Sequence, residues 1–171
     1  MSKTFVVFWL LLLVIVGIYI RINDSSHYSY SGDEAIHLGM AKASSIYEAL
    51  KFSLNETHPP LGNIIRYYWL KISDEIWFSR SLSLIFGVAF IPLYYFIGKE
   101  YKDKLTGLLS ATLITFSYGC ILQSYIVRNY TILVFFLSFS LYFYLIWRKN
   151  NKNYALAGYL IAGILASLTH F

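Results

Sequence analysis

Two short clusters of ionisable residues in the first third of the chain have the residue types that acid–base chemistry needs. Asp33 and Glu34 are adjacent, and His37 follows one helical turn later. Glu56 and His58 form the second cluster, directly before a pair of prolines. A carboxylate or an imidazole can take a proton from a hydroxyl nucleophile that lies within hydrogen-bond reach. These residues are therefore the first candidates for a reactive site.

Each cluster also has a structural explanation. Carboxylates are favoured in the first turn of a helix, and Ser31 with Glu34 has the S-x-x-E form of a capping box. His58 precedes Pro59 and is held extended, and prolines commonly start helices. Glu56 and His58 could share a divalent metal ion, but they supply only part of a coordination sphere. We therefore assign no metal ligands, and spacing alone favours structure for both clusters.

The elements that would position these residues are membrane helices. The 171 residues are 57% hydrophobic and 13% charged, and the mean hydropathy is +0.54. About 20 apolar residues cross the hydrocarbon core, and a helix satisfies its own backbone there. The predicted fold is all-α, a polytopic bundle of about five spans that forms one membrane domain over residues 1–171. The predicted spans are 4–20, 81–98, 105–127, 130–147 and 154–169.

Basic residues in the short loops predict the orientation, because such residues are held on the cytoplasmic side. They are Lys3, Lys99, Lys102, Lys104, Arg148, Lys149 and Lys152. The N-terminus is therefore predicted to be cytoplasmic, and the loop over residues 22–79 extracytoplasmic or lumenal. The first span has no small-residue cleavage pattern, so we interpret it as a retained anchor. These loops account for the net charge of +5, and nothing indicates nucleic-acid binding.

The long loop is predicted to contain two amphipathic helices that lie on the membrane surface. The first begins at Ser31, and apolar residues recur at three- and four-residue steps as far as Leu50. The second follows Pro60, with an apolar face from Leu61 to Ile72. Its other face carries Asn63, Arg66 and Lys71.

Taken together and in order, the motifs resemble a known enzyme family. Residues 33–39 read DEAIHLG and residues 58–62 read HPPLG. This pair resembles the first external loop of the protein O-mannosyltransferases, which belong to the GT-C superfamily of membrane glycosyltransferases. Further landmarks in the same order are Arg80 with Ser81, Gly87, Gln123 to Tyr125, and Arg128 to Tyr130.

The resemblance implies transfer of a sugar from a polyprenyl-phosphate carrier to an acceptor hydroxyl, with inversion and on the extracytoplasmic or lumenal face. The acceptor would be a protein, a glycan or a lipid. Asp33 would be the general base, and Glu34 would orient hydroxyl groups or cap its helix. Arg80 and Arg128 would bind the leaving phosphate, although arginines at span ends also snorkel to the interface.

The resemblance also places His37, Glu56, His58 and Tyr130 among the substrate-binding residues. His170 could face the same site or lie at the membrane interface. Members of this superfamily are longer than 171 residues, so the sequence is expected to be an N-terminal part.

The residues around Arg128 are closer to the broader prokaryotic lipid-linked sugar transferases, which leaves the sugar and the acceptor open. The alternative is a non-catalytic polytopic protein, such as a transporter fragment, an assembly subunit or a pseudoenzyme. A transporter would be expected to carry polar or broken helices at mid-membrane. The acidic residues cluster outside the predicted spans instead, which favours chemistry at the membrane surface.

Overall fold

The computed structural model describes residues 1–25, 32–55, 59–73 and 75–170. All of the regular structure in these ranges is helical, which confirms the all-α prediction. The helices in chain order are α1 (Lys3–Ser25), α2 (Gly32–Ala41), α3 (Ile46–Asn55), α4 (Pro60–Leu70), α5 (Ile76–Tyr101), α6 (Lys104–Phe116), α7 (Tyr118–Gln123), α8 (Tyr130–Asn150) and α9 (Asn153–Ser167).

Three of these helices, α1, α5 and α8, are long and apolar enough to cross a membrane, and α6 and α9 are shorter apolar helices. Many of their large apolar side chains point outward, for example Phe8, Ile15 and Leu113, which are 63%, 64% and 74% exposed. A soluble protein rarely exposes contiguous apolar surface on this scale. The chain is therefore an integral membrane protein whose outer surface is suited to lipid.

The bundle is built from two helical hairpins, α5 with α6 and α8 with α9, which pack together through α5 and α8. Helix α1 packs on α5 and α6. Asp103 caps α6, because its carboxylate accepts a hydrogen bond of 2.8 Å from the backbone N–H of Thr106, which lowers the pKa of that carboxyl. The second hairpin turns at Asn151, whose φ of 50° is left-handed, a conformation that asparagine tolerates better than most residues.

The predicted span over residues 105–127 differs from the structure, because the helix is interrupted. Helix α6 ends at Phe116, Ser117 is extended, and α7 covers only Tyr118–Gln123. The physical reason lies on α1. The buried guanidinium of Arg21 donates to the carbonyl oxygens of Ile114 and Thr115 at 3.4 Å each. Those carbonyls belong to the last turn of α6, where helical partners are missing.

The first loop helix is also interrupted. The helix predicted from Ser31 to Leu50 is two helices, α2 and α3, separated by residues 42–45. Ser45 Oγ accepts from the backbone N–H of Glu48 at 3.2 Å, and the Glu48 carboxylate accepts from Ser44 Oγ at 2.6 Å. These contacts start a new helix at this point. Ser31 lies outside the described residues, so its capping box with Glu34 stays a prediction.

Helix α4 begins at Pro60, one residue before the stretch predicted from the sequence, and Asn63 and Arg66 of its predicted polar face point into the protein. Lys71, the third predicted residue of that face, follows the helix and is exposed. Asn63 and Arg66 are 1% and 0% exposed, whereas Tyr68 and Ile72 are 59% and 71% exposed. The backbone N–H of Leu61 donates to the carbonyl of Leu168, 2.9 Å away, just beyond α9. Helices α2, α3 and α4 contact one another, and α4 contacts α5. The three helices therefore form a cap over one end of the bundle, with polar side chains beneath it.

Candidate functional site

The site is organised around an ion pair between α2 and the residue just before α8. The guanidinium of Arg128 contacts the carboxylate of Asp33, and the two side chains are 26% and 63% exposed. Arg128 Nη1 also donates to the hydroxyl of Tyr130 at 3.3 Å, and the guanidinium carbon lies 5.4 Å from the Tyr130 ring centroid. The fold thus brings together two sequence motifs that are 95 residues apart.

A cavity of about 230 Å³ adjoins this ion pair. Its lining includes four of the predicted site residues, namely Asp33, His37, Arg128 and Tyr130. His170 also lines it, and its ring lies 5.0 Å from the Tyr130 ring, centroid to centroid. The remaining lining residues are Ile36 and Asn129. The cavity is therefore bounded by α2, the start of α8 and the residues that follow α9.

Glu34 is close to this cavity but does not line it. Its side chain is 4% exposed, and its carboxylate accepts a hydrogen bond of 2.8 Å from the backbone N–H of Val127. Val127 is the residue directly before Arg128. Glu34 therefore holds the backbone next to the ion pair. Its carboxylate does not line the cavity, whereas that of Asp33 does.

A network of buried amides adjoins the cavity and includes Asn129 from its lining. Asn63 Oδ1 accepts from Asn129 Nδ2 at 3.3 Å and lies 3.4 Å from His37 Nδ1. Asn63 Nδ2 in turn donates to Ser53 Oγ. The fit is tight, because a Cβ on Gly62 would lie 2.7 Å from Asn129 Nδ2. Residues Asn63 and Asn129 were not predicted to belong to the site, although Asn63 stood on the polar face of its helix and Asn129 within a family landmark.

Not all of the predicted site residues line this cavity. Arg80 is on α5 and 8% exposed, and it is not part of the cavity lining. Its neighbour Ser79 offers a carbonyl to Arg66 Nη1 at 3.4 Å. Glu56 and His58 lie outside the described residues. Within the described ranges, no three His, Cys, Asp or Glu side chains form a group that could hold a metal ion.

The arrangement suits displacement of a phosphate by a hydroxyl group. A partly exposed carboxylate can accept a proton from a hydroxyl nucleophile. A guanidinium beside it can hold a phosphate by charge-assisted hydrogen bonds, which are among the stronger polar interactions. Aromatic rings such as those of Tyr130 and His170 offer apolar faces with polar edges, which suit a sugar ring.

Comparison with protein families shows which family the chain resembles. The family model described as dolichyl-phosphate-mannose-protein mannosyltransferase matches residues 49–170. The matched range contains Arg80, Arg128, Tyr130 and His170, whereas Asp33 precedes it. No curated protein and no solved structure matched the chain.

Proposed function

The chain belongs to the dolichyl-phosphate-mannose-protein mannosyltransferase family, and on that premise we propose that it transfers a sugar from a polyprenyl-phosphate carrier to a hydroxyl group. The family description names mannose as the sugar and protein as the acceptor, and we take both as the first candidates. A glycan or a lipid hydroxyl is the alternative acceptor. The observation that carries the proposal is the contact between Asp33 and Arg128 at one cavity.

In the proposed reaction Asp33 is the general base. The acceptor hydroxyl loses its proton to the Asp33 carboxylate while its oxygen forms a bond to the anomeric carbon of the sugar. The bond between that carbon and the phosphate oxygen breaks, and polyprenyl phosphate leaves. Attack from the face opposite the phosphate inverts the anomeric configuration in a single displacement, without a covalent intermediate.

Arg128 is the proposed phosphate ligand. The leaving phosphate gains negative charge as the sugar departs, and a guanidinium at that position stabilises it. Its contact with Asp33 means that a donor phosphate would compete with the carboxylate for the same guanidinium. Binding of the donor would then leave the carboxylate available to the acceptor. Arg80 stays a second candidate for the phosphate, at a position away from the cavity lining.

The other predicted residues have supporting roles in this proposal. His37 and Tyr130 line the cavity and would contact the sugar or the acceptor. Glu34 would act by holding the backbone of Val127, because its carboxylate is engaged there. Glu56 and His58 are proposed to contact substrate on the strength of the family resemblance. No metal ion is required by the proposed steps.

The site is proposed to face the extracytoplasmic or lumenal side of the membrane, with the N-terminus in the cytoplasm. The support is the clustering of basic residues at the opposite end of the bundle. Lys104 Nζ donates to the Met1 carbonyl at 3.4 Å, and Lys149 pairs with Glu100 at 3.6 Å. The N-terminus and both basic loops therefore lie at one end, as the positive-inside rule expects of a cytoplasmic end.

The proposal is tested by following transfer from radiolabelled polyprenyl-phosphate sugars in membranes that contain the protein. We expect label to move from the phosphomannose donor to an acceptor with inverted anomeric configuration, and matched membranes without the protein to show no transfer. Absence of transfer from every donor would favour the alternative of a non-catalytic membrane protein. Retained configuration in the product would contradict single displacement.

A further inference from the structure

A non-helical stretch over residues 124–129, here called the linking segment, joins α7 to α8 and carries Arg128. We propose that Arg21 and Arg66, two arginines on other helices, are positioning residues that fix this segment and so place the Arg128 guanidinium at the cavity. Both are fully buried, at 0% exposure. The inference rests on the proposed function, since Arg128 matters here as the phosphate ligand.

Arg21 holds the beginning of the linking segment. Its Nε donates to Ser124 Oγ at 3.0 Å, and its Nη1 donates to the carbonyl of Gly17 at 3.1 Å. The same guanidinium contacts the carbonyls of Ile114 and Thr115 at the end of α6. A cation is favoured at a helix C-terminus, where carbonyl oxygens lack helical partners. One side chain of α1 thus joins the end of α6 to the start of the segment.

The start of the segment is also packed tightly against α5. A Cβ on Gly87 would collide with the side chain of Ser124 and would lie 3.2 Å from its Cα. Ser83, one turn earlier on α5, donates from its Oγ to the carbonyl of Ile126 at 2.8 Å. Ser124 therefore has little room to move once Arg21 holds its hydroxyl.

Arg66 holds the end of the linking segment at Arg128 itself. Its Nη2 donates to the carbonyl of Arg128 at 3.3 Å, and its Nη1 donates to the carbonyl of Ser79 at 3.4 Å. This guanidinium connects α4 and α5 to the residue whose side chain contacts Asp33. The hydrogen bond from Val127 N–H to Glu34 fixes the adjacent peptide.

Arginine is suited to this task for a physical reason. Irregular backbone in a membrane protein must find its hydrogen-bond partners within the protein. A guanidinium presents several donors in a rigid fork, and one side chain can bridge carbonyls of different elements. Lysine keeps the charge, but it is a point charge on a flexible stem and does not reproduce the fork. A phosphate-binding side chain that is displaced by about 1 Å can lose most of its contribution to binding and rate.

The test is a double-mutant cycle read out as binding of polyprenyl phosphate to the full chain in nanodiscs. Arg21→Lys and Arg66→Lys are each made alone and together with Arg128→Ala, and Arg148→Lys at an exposed position is the matched control. We expect Arg128→Ala to raise Kd roughly tenfold or more, and each lysine variant to raise it roughly three- to tenfold. In the Arg128→Ala background the lysine changes should then add less than about twofold, because they act through Arg128.

Additive effects of the paired changes, or no effect of either lysine variant, would overturn the inference and leave the proposed function standing. An unchanged Kd in Arg128→Ala would instead refute the phosphate role of Arg128, and the inference with it. If a lysine variant does not fold, Ser124→Ala replaces Arg21→Lys and Arg66→Gln replaces Arg66→Lys in the same cycle. The melting temperature of each variant is measured alongside and should match that of Arg148→Lys within a few degrees.

Discussion

At the scale of single residues, Asn63 connects the helical cap to the linking segment. Its amide oxygen meets Asn129 and His37, and its amide nitrogen donates to Ser53. Both Asn63 and Ser53 are almost fully buried. A buried polar group that loses its partner pays the full cost of its removal from water. This amide therefore affects both the stability of the cap and the orientation of the His37 ring.

We predict that Asn63→Ala lowers the free energy of unfolding by about 1–3 kcal/mol, because it leaves buried partners unsatisfied. Thermal unfolding of the detergent-solubilised protein measures this change. Asn150→Ala, at an exposed position, is the control and should stay within about 0.5 kcal/mol. Equal stability of the two variants would mean that the network contributes nothing to the fold.

The sequence predicts individual site residues better than their partners. Asp33 and Arg128 were each predicted from motifs, but their direct contact depends on how α2 packs against the start of α8. Arg21 directly follows the predicted first span over residues 4–20. A basic residue at that position normally snorkels to the interface, and nothing local distinguishes it from one that is buried among carbonyls of another helix.

At the scale of helices, the α5–α6 hairpin depends on close backbone approach. A Cβ on Gly107 would lie 2.5 Å from the carbonyl oxygen of Tyr95. A Cβ on Gly98 would lie 2.8 Å from the carbonyl oxygen of Thr106. Small residues at helix contacts are typical of membrane bundles, where packing rather than hydrophobic burial drives association.

Gly107→Ala is therefore predicted to destabilise the protein by about 1–3 kcal/mol, because the added methyl group must push two backbones apart. Gly119→Ala is the matched control, since a Cβ there meets nothing within 4 Å. In a helix, that change should be neutral or slightly stabilising. Melting temperatures of the two variants provide the comparison, and a destabilised Gly119→Ala with an unaffected Gly107→Ala would contradict the packing described here.

Helix boundaries show where sequence patterns lose predictive power. The stretch 105–127 contains no charged residue. The guanidinium that holds the carbonyls at the end of α6 comes from α1, so the local sequence does not reveal it. The break between α2 and α3 did carry a local signal, the S-x-x-E pattern of Ser45 and Glu48. The apolar periodicity from Ile36 to Leu50 runs across that break and concealed it.

At the scale of the whole molecule, the basic loops and the candidate site lie at opposite ends of the helical bundle. Helix α8 begins at the cavity and ends at the basic loop 148–152, about 30 Å away for 21 helical residues. Lys149 and Glu100 join this loop to the end of α5, and Lys104 contacts the N-terminal residue. The separation roughly matches the thickness of a hydrocarbon core.

The predicted orientation follows from this separation and is open to direct measurement. In a Cys120→Ser background, single cysteines replace Lys51 in the helical cap and Lys102 in the α5–α6 turn, both exposed. When the protein is expressed in the plasma membrane of bacterial cells, a membrane-impermeant thiol reagent should label Lys51→Cys in intact cells and Lys102→Cys only after permeabilisation. The reverse pattern would place the candidate site in the cytoplasm.

The central claim is that Asp33 takes the proton of the acceptor hydroxyl, and Asp33→Asn tests it most directly. The measurement is the rate of transfer from labelled polyprenyl-phosphate mannose, with expression and melting temperature matched to the wild type. We predict a loss of about 10²- to 10⁴-fold in rate. Binding of polyprenyl phosphate should be preserved or tightened, because Arg128 no longer faces a carboxylate. Near-normal transfer by Asp33→Asn would show that Asp33 only pairs with Arg128, and the proposed mechanism would be wrong.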